Sequence, residues 1–198
     1  MPVKYRITSK DVAISLLALG AHPPARYRNV KHITGASMST SLATTDLSDA
    51  HADSIAHVDP IFFDYGGQLT FHGPITTLKV FEDNALVRSA VEGPGDGRVL
   101  VVDGGGSLRC ALFGGNLAQL AASNGWVGVL VFGCVRDRDE LAAEKVGIKA
   151  IGHHPRRSIK KGLGDIDLPV TFGGVTFAPG AWLYADRDGV IVSPTALT

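Results

Sequence analysis

The chain has 198 residues, and its 19 Lys plus Arg are matched by 19 Asp plus Glu, so the formal net charge at pH 7 is zero. With 45% hydrophobic and 19% charged residues it suits one well-packed domain, and its charge balance gives no electrostatic reason to expect nucleic acid or an acidic membrane as partner. Its apolar runs stop well short of the ~18 residues a membrane span needs, and Cys110 and Cys134 are too far apart for a zinc-type pair, which points to a reducing compartment.

From Met1 to Thr45 the only acid is Asp11, against Lys4, Arg6, Lys10, Arg26, Arg28 and Lys31. That bias also occurs in organelle transit peptides. The segment Ser9–Gly20 nevertheless has a cap residue, helical spacing of apolar positions and a terminating glycine, so residues 1–44 are expected to be a basic, helical N-terminal extension of a single domain. Further on, Ser48–Ile55 reads as a short helix, Pro74–Phe81 as a strand and Asn84–Val91 as a helix before the turn Gly93–Gly97. Val99–Asp103 is an expected buried strand, Gly104–Gly106 a turn, Asn116–Asn124 a helix ended by Gly125, and Val127–Phe132 the next strand. Leu168–Phe172 and Gly189–Ser193 complete the strands, and no internal repeat is visible. This alternation predicts an α/β or α+β fold with a mixed sheet.

The run Gly128–Asp137 carries the strongest functional signal, because an apolar, two-sided strand ends in a glycine turn with an adjacent cation and carboxylate, Arg136 and Asp137. Side chains at such strand ends commonly face a ligand crevice. A second element, Gly114-Gly115-Asn116-Leu117, lies where a strand-like segment gives way to a helix, and its glycines allow close approach while the first helical amides point at an anion. If Phe113 and Phe132 end parallel strands at one sheet edge, amides, guanidinium and carboxylate converge there. Those groups suit a 2-oxo acid chelating a hard divalent cation, Mg²⁺ or Mn²⁺, with Asp137 as metal ligand and Arg136 steadying an enolate. A surface ion pair at a strand end is the alternative.

The run Val102–Ala118, followed by Asn124-Gly-Trp-Val-Gly, Gly133–Asp137, Phe172–Gly180 and Tyr184–Gly189, resembles the regulator of ribonuclease activity A (RraA) family from about Thr45 to Ser193. The resemblance implies a swivelling β/β/α-type domain with a mixed sheet and flanking helices. The family contains metal-dependent class II aldolases that cleave 4-hydroxy-4-methyl-2-oxoglutarate to pyruvate and decarboxylate oxaloacetate, and also non-catalytic proteins that bind and inhibit an endoribonuclease. Aldolase members resemble this chain in the Arg-Asp pair, so the resemblance implies a lyase with Asp137 on the metal, Arg136 on the pyruvyl group and pyruvyl-binding amides at Gly114–Leu117. It also implies homotrimers or hexamers of two trimers and a small 2-oxo acid as ligand, while the expected reducing compartment points to a cytoplasmic location.

Bacterial aldolases of the family have Gly-Asp-x-Leu at the loop, the aspartate ordering water at the metal, whereas this chain has Gly115 there and Asn116 next. Asn116 orients water but is not a base, which leaves the proton shuttle unassigned. Lys160 or Lys161 falls where the aldolases also carry a lysine, with a solvated loop charge as the alternative. Asp49 is a candidate for donation to a neighbouring subunit's pocket, with a helix-end carboxylate as the alternative. Asp103-Gly-Gly-Gly106 and Asp186-Arg-Asp-Gly189 lack the remaining residues of phosphate and calcium loops and are expected to be turns.

Overall fold

The computed structural model describes residues 42–197, so the helix expected over Ser9–Gly20 lies outside the described residues. In chain order the elements are helix α1 (Thr44–His51), strands β1 (Ala56–His57), β2 (Phe63–Asp64) and β3 (Phe71–Lys79), helix α2 (Ala85–Glu92), and strands β4 (Val99–Asp103) and β5 (Ala111–Phe113). Helix α3 (Gly115–Ser123), strand β6 (Gly128–Val135), helix α4 (Arg138–Ala143) and strand β7 (Gly147–His153) follow. Strands β8 (Asp165–Ile166), β9 (Val170–Phe172), β10 (Val175–Phe177), β11 (Trp182–Ala185) and β12 (Val190–Ser193) close the chain.

The expected mixed α/β fold is what these elements build. The large sheet has the order β1-β12-β11-β3-β4-β6-β7-β2, with β5 also paired to β6 and β8 to β3. Its centre, β3-β4-β6-β7, is parallel, and the flanking strands are antiparallel. Every residue of β4 is buried, as a two-sided interior strand requires. Alternate residues feed two cores: Leu100 and Val102 meet Val87, Val91, Ala118 and Leu141 of the helices, while Val99 and Val101 meet Phe172, Val175 and Phe177 of the β9–β10 hairpin. On the hairpin side Phe172 stacks between Phe132 and Phe177, with ring centroids 4.7 and 4.4 Å away. Gly128 and Gly147 are neighbours on β6 and β7, and a Cβ on either would run into the Phe71 ring that covers both.

Some boundaries differ from the sequence expectation for physical reasons. Helix α1 begins at Thr44 rather than Ser48, because the Thr44 amide and hydroxyl both donate to the buried Asp186 carboxylate at 2.7 Å, a partner remote in sequence. Strand β7 escapes the apolar pattern because Lys149 sits at its centre, 3% exposed and paired with Asp64 of β2 at 2.8 Å. Helix α4 is too short to show periodicity. Asp186 also accepts from the amides of Asp188 and Gly189, and Asp103 from that of Gly105, so both glycine-containing segments form turns as expected. Among the described residues no helix is long and apolar enough to cross a membrane.

Burial alone would raise the Asp186 pKa, but the hydrogen bonds from Thr44, Asp188 and Gly189 outweigh it and hold the carboxyl below its ordinary value. Its stabilising contribution is therefore complete above the unfolded pKa of about 3.9 and is lost as the pH falls through the lower folded value. Asp186→Ala should cost about 3 kcal/mol at neutral pH, since it strands several buried donors. Asp186→Asn should flatten the loss of thermal stability seen in the unsubstituted chain below about pH 4; parallel melting curves of the two proteins across that range would refute the assignment.

Candidate functional site

Strands β5 and β6 run parallel, and Phe113 registers with Val135. Sequence reasoning places the β6 end at Phe132 with a turn at Gly133; instead β6 continues through Gly133 to Val135, passing a register irregularity against β7 between Val131 and Cys134 and pairing again at Cys134 and Val135. The chain leaves the sheet at Arg136, whose amide donates to the Phe113 carbonyl at 3.0 Å. Asp137 then adopts the left-handed region (φ 58°, ψ 48°) and starts α4. Aspartate tolerates that conformation better than most residues, and such backbone outliers concentrate at functional sites.

This corner lies against the glycine pair that opens α3. A Cβ on Gly114 would stand 2.7 Å from Asp137 Oδ2 and 3.1 Å from Arg136 Cγ, and one on Gly115 would collide with the Glu140 carboxylate and stand 2.7 Å from its Cβ. The two glycines thus admit three charged side chains to the end of α3. Arg136 Nε lies 3.3 Å from Asp137 Oδ2, with both side chains a little over one-third exposed (38% and 35%). Such a half-exposed pair contributes little to stability.

The expected row of free amides over Gly114–Leu117 narrows. The Gly115 amide donates to Asp137 Oδ2 at 3.2 Å, and the Leu117 amide to the Gly114 carbonyl at 2.9 Å. Among the described residues the Asn116 amide has no acceptor. It remains the donor at the favourable end of the α3 dipole.

These groups line a cavity of about 130 Å³ whose far wall comes from α2 and the segment after β7. Arg136, Asp137, Gly114, Asn116, Leu117 and Lys160 of the sequence-derived candidates all line it. Gly115 lies behind it, facing Glu140. Lys161 instead lines a neighbouring hollow, and Asp49 lines a separate one beside His57 and Gly189, so one chain does not bring Asp49 to Arg136. Arg88, Arg157, Asn84 and Ser158 are further wall residues that sequence reasoning misses. Four wall cations, Arg88, Arg136, Arg157 and Lys160, accompany a single wall carboxylate, Asp137; Arg88 is also paired with Glu92 at 2.9 Å, and the remaining excess of positive charge suits an anion.

Asp83 fixes the far wall. Its Oδ1 accepts from the Ala85 amide at 2.9 Å, and its Oδ2 from those of Lys161 at 2.7 Å and Leu163 at 3.3 Å. Burial works to raise its pKa, and the accepted amide hydrogen bonds pull it below the ordinary value. Glu82, hydrogen-bonded to Ser107 and paired with Arg109 at 2.6 Å, also has its pKa lowered.

Sequence reasoning misses Glu140 as well. A signal exists: Asp137 precedes α4 and Glu140 is its third residue, the spacing of a capping pair. Its side chain occupies the space over Gly115 into which a Cβ at that position would project. Among the described residues no three His, Cys, Asp or Glu surround one point. The carboxylates of Asp137 and Glu140, against adjoining glycines, fit a hard divalent cation that keeps several waters, not a nitrogen- and sulfur-ligated zinc.

Comparison with known proteins bears on this geometry. A family model described as RraA-like, Aldolase/RraA, matches residues 44–192. A protein of Alkalilimnicola ehrlichii provisionally named 4-hydroxy-4-methyl-2-oxoglutarate aldolase is 57% identical over 157 residues, covering 79% of this chain and 98% of the relative. The solved structure of the RNA-processing inhibitor RraA from Thermus thermophilis is 47% identical with a TM-score of 0.76, covering 78% of this chain and 94% of that one. A Geobacillus kaustophilus structure, described as an S-adenosylmethionine:2-dimethylmenaquinone methyltransferase, is 49% identical with a TM-score of 0.75, covering 78% and 96%.

The glycine at 115 and the carboxylate at 140 compete for one space. Gly115→Asp alone should cost about 1–3 kcal/mol in thermal unfolding through overpacking, while adding Glu140→Ala should restore most of that loss. A neutral single variant, or a double variant no more stable than the single, would show that Glu140 does not fill this space.

Proposed function

Since the chain belongs to the Aldolase/RraA family, we propose that it is a divalent-metal-dependent carbon–carbon lyase. It cleaves 4-hydroxy-4-methyl-2-oxoglutarate-type 2-oxo acids to pyruvate and decarboxylates oxaloacetate at the same site. The observation that carries this reading is the convergence of Arg136, Asp137 and the free Asn116 amide in one cationic cavity. Its volume of about 130 Å³ lies well below the ~300 Å³ at which pockets for drug-sized ligands begin, which favours a small acid over a nucleoside cofactor. The methyl transfer for which the Geobacillus protein is named is therefore not carried over to this chain.

Asp137 would hold the metal, with Glu140 beside it, and the cation, Mg²⁺ or Mn²⁺, would act as a Lewis acid on the 2-oxo group. The chain's own residues do the rest. The Asn116 amide and the Arg136 guanidinium bind the pyruvyl carboxylate, and the planar fork of Arg136 also faces the oxygen on which enolate charge develops. In the aldol cleavage the substrate's 4-hydroxyl loses its proton, the C3–C4 bond breaks, and its electron pair passes into the enolate. One pyruvate leaves as the newly formed ketone, and protonation at C3 releases the second. Asp137 is the only carboxylate among the lining residues and Glu140 stands over Gly115 behind the cavity, so Glu140 would take that proton only through water, a role Asn116 does not fill. Decarboxylation of oxaloacetate uses the same enolate stabilisation with CO₂ as leaving group.

We further infer a homotrimer or a hexamer of two trimers, which the exposed Phe63, Leu163, Ile166 and Leu168 support as apolar surface available for assembly. A cytoplasmic location is consistent with the free Cys110 and Cys134. The name of the Thermus relative favours a second reading, a non-catalytic regulator that binds an endoribonuclease.

Pyruvate release from 4-hydroxy-4-methyl-2-oxoglutarate and from oxaloacetate, measured with Mg²⁺ and again with chelator, separates the two readings. Metal-dependent turnover is expected on both acids; none on either favours the regulator. Asp137→Ala and Arg136→Lys should each lower kcat/KM by roughly a hundredfold or more while leaving circular dichroism unchanged, since a lysine ammonium does not reproduce the guanidinium fork. Full activity of Asp137→Ala at limiting metal would remove that residue from the mechanism.

A further inference from the structure

Two buried polar atoms in the wall opposite Arg136 have no hydrogen-bond partner among the described residues: Asn84 Oδ1 and Ser158 Oγ. Ser158 is 6% exposed. Both residues line the cavity, and backbone bonds hold both in place, from the Asn84 amide to the Ile159 carbonyl at 3.3 Å and from the Ser158 amide to the Ala111 carbonyl at 3.2 Å. Asn84 stands at the N-cap of α2, where an asparagine side chain ordinarily accepts a helical amide, yet it makes no such bond. The nearby Asp83 carboxylate takes the Ala85 amide instead. Enclosed polar groups are rarely left unpaired, and here the two residues that carry them both belong to the wall of one cationic cavity, where side-chain rotation would offer them to a ligand.

We propose that Asn84 and Ser158 form a distal subsite that selects substrates carrying a hydroxyl and a second carboxylate beyond the reacting 2-oxo group. The inference rests on the lyase reading and deepens it. Arg136 and the Asn116 amide account for one carboxylate, while on the far wall Arg88 is paired with Glu92 at 2.9 Å and Arg157 and Lys160 have no carboxylate partner among the described residues. The Ser158 hydroxyl donates to the distal carboxylate. A half-turn of the Asn84 amide exchanges Oδ1 for Nδ2, so this edge donates to the substrate hydroxyl oxygen and leaves that hydroxyl's own proton free to depart. Oxaloacetate has a second carboxylate but no hydroxyl, and it engages only part of this subsite.

Binding measured by calorimetry tests the subsite with two stable acids: oxalate, which is long enough only for the Arg136 end, and citramalate, which carries a hydroxyl and two carboxylates. Asn84→Ala and Ser158→Ala should each weaken citramalate about tenfold, the scale of one lost hydrogen bond to a charged or hydroxyl group, and leave oxalate within about twofold. In turnover, kcat/KM for 4-hydroxy-4-methyl-2-oxoglutarate relative to oxaloacetate should fall by a similar factor. Melting temperatures should hold or rise, because each substitution removes an unpaired buried group. Unchanged citramalate affinity in both variants, equal weakening of both acids, or a marked fall in melting temperature would overturn the proposal. If the unsubstituted chain turns over neither substrate, the lyase reading fails on that result alone, while citramalate binding still decides the subsite.

Discussion

The site depends on the absence of two side chains. Gly114 and Gly115 let the corner between β6 and α4 rest on the N-terminal end of α3, so that Arg136, Asp137 and Glu140 share a space that one Cβ would disrupt. The amide of Gly115 closes the contact by donating to Asp137. A parallel sheet is well suited to present this arrangement, because neighbouring strands deliver their ends to the same edge. Here β5 supplies the loop, β6 the charged pair, and the Arg136 amide ties the two strand ends together.

A second device recurs farther out. Asp83 and Asp186 are both buried carboxylates that accept several hydrogen bonds each, and in both cases those bonds outweigh the cost of burial. One fastens the segment carrying Lys161 and Leu163 beside the cavity; the other fastens the start of α1 to the turn before β12. A carboxylate can gather donors from distant parts of the chain, which an apolar contact of the same size does less selectively. The cavity wall therefore gains definition without requiring a helix or strand at that place.

Much of the central sheet is legible in the sequence because its strands obey simple patterns. Val99–Asp103 is apolar up to its last residue and forms a strand over those same bounds, and α2 and α3 lie within one residue at each end of where their spacing and the glycine that follows put them. The Arg136–Asp137 pair is legible for a related reason: it interrupts an apolar run abruptly. Strand β7 is not, since its central Lys149 is made tolerable only by Asp64, and the start of α1 is hidden because the remote Asp186 fixes it. Asn84, Ser158 and Glu140 escape sequence reasoning because their significance depends on where they sit, not on any neighbouring residue. An asparagine before a helix looks like a cap until Asp83 is seen to take that amide.

Positions 115 and 140 share one volume, so neither can be judged by itself. A comparison that scores positions one at a time would miss this, because the side chain that fills the space over Gly115 is carried by α4. A larger residue at 115 therefore calls for a smaller one at 140, and the two behave as a single unit of sequence choice.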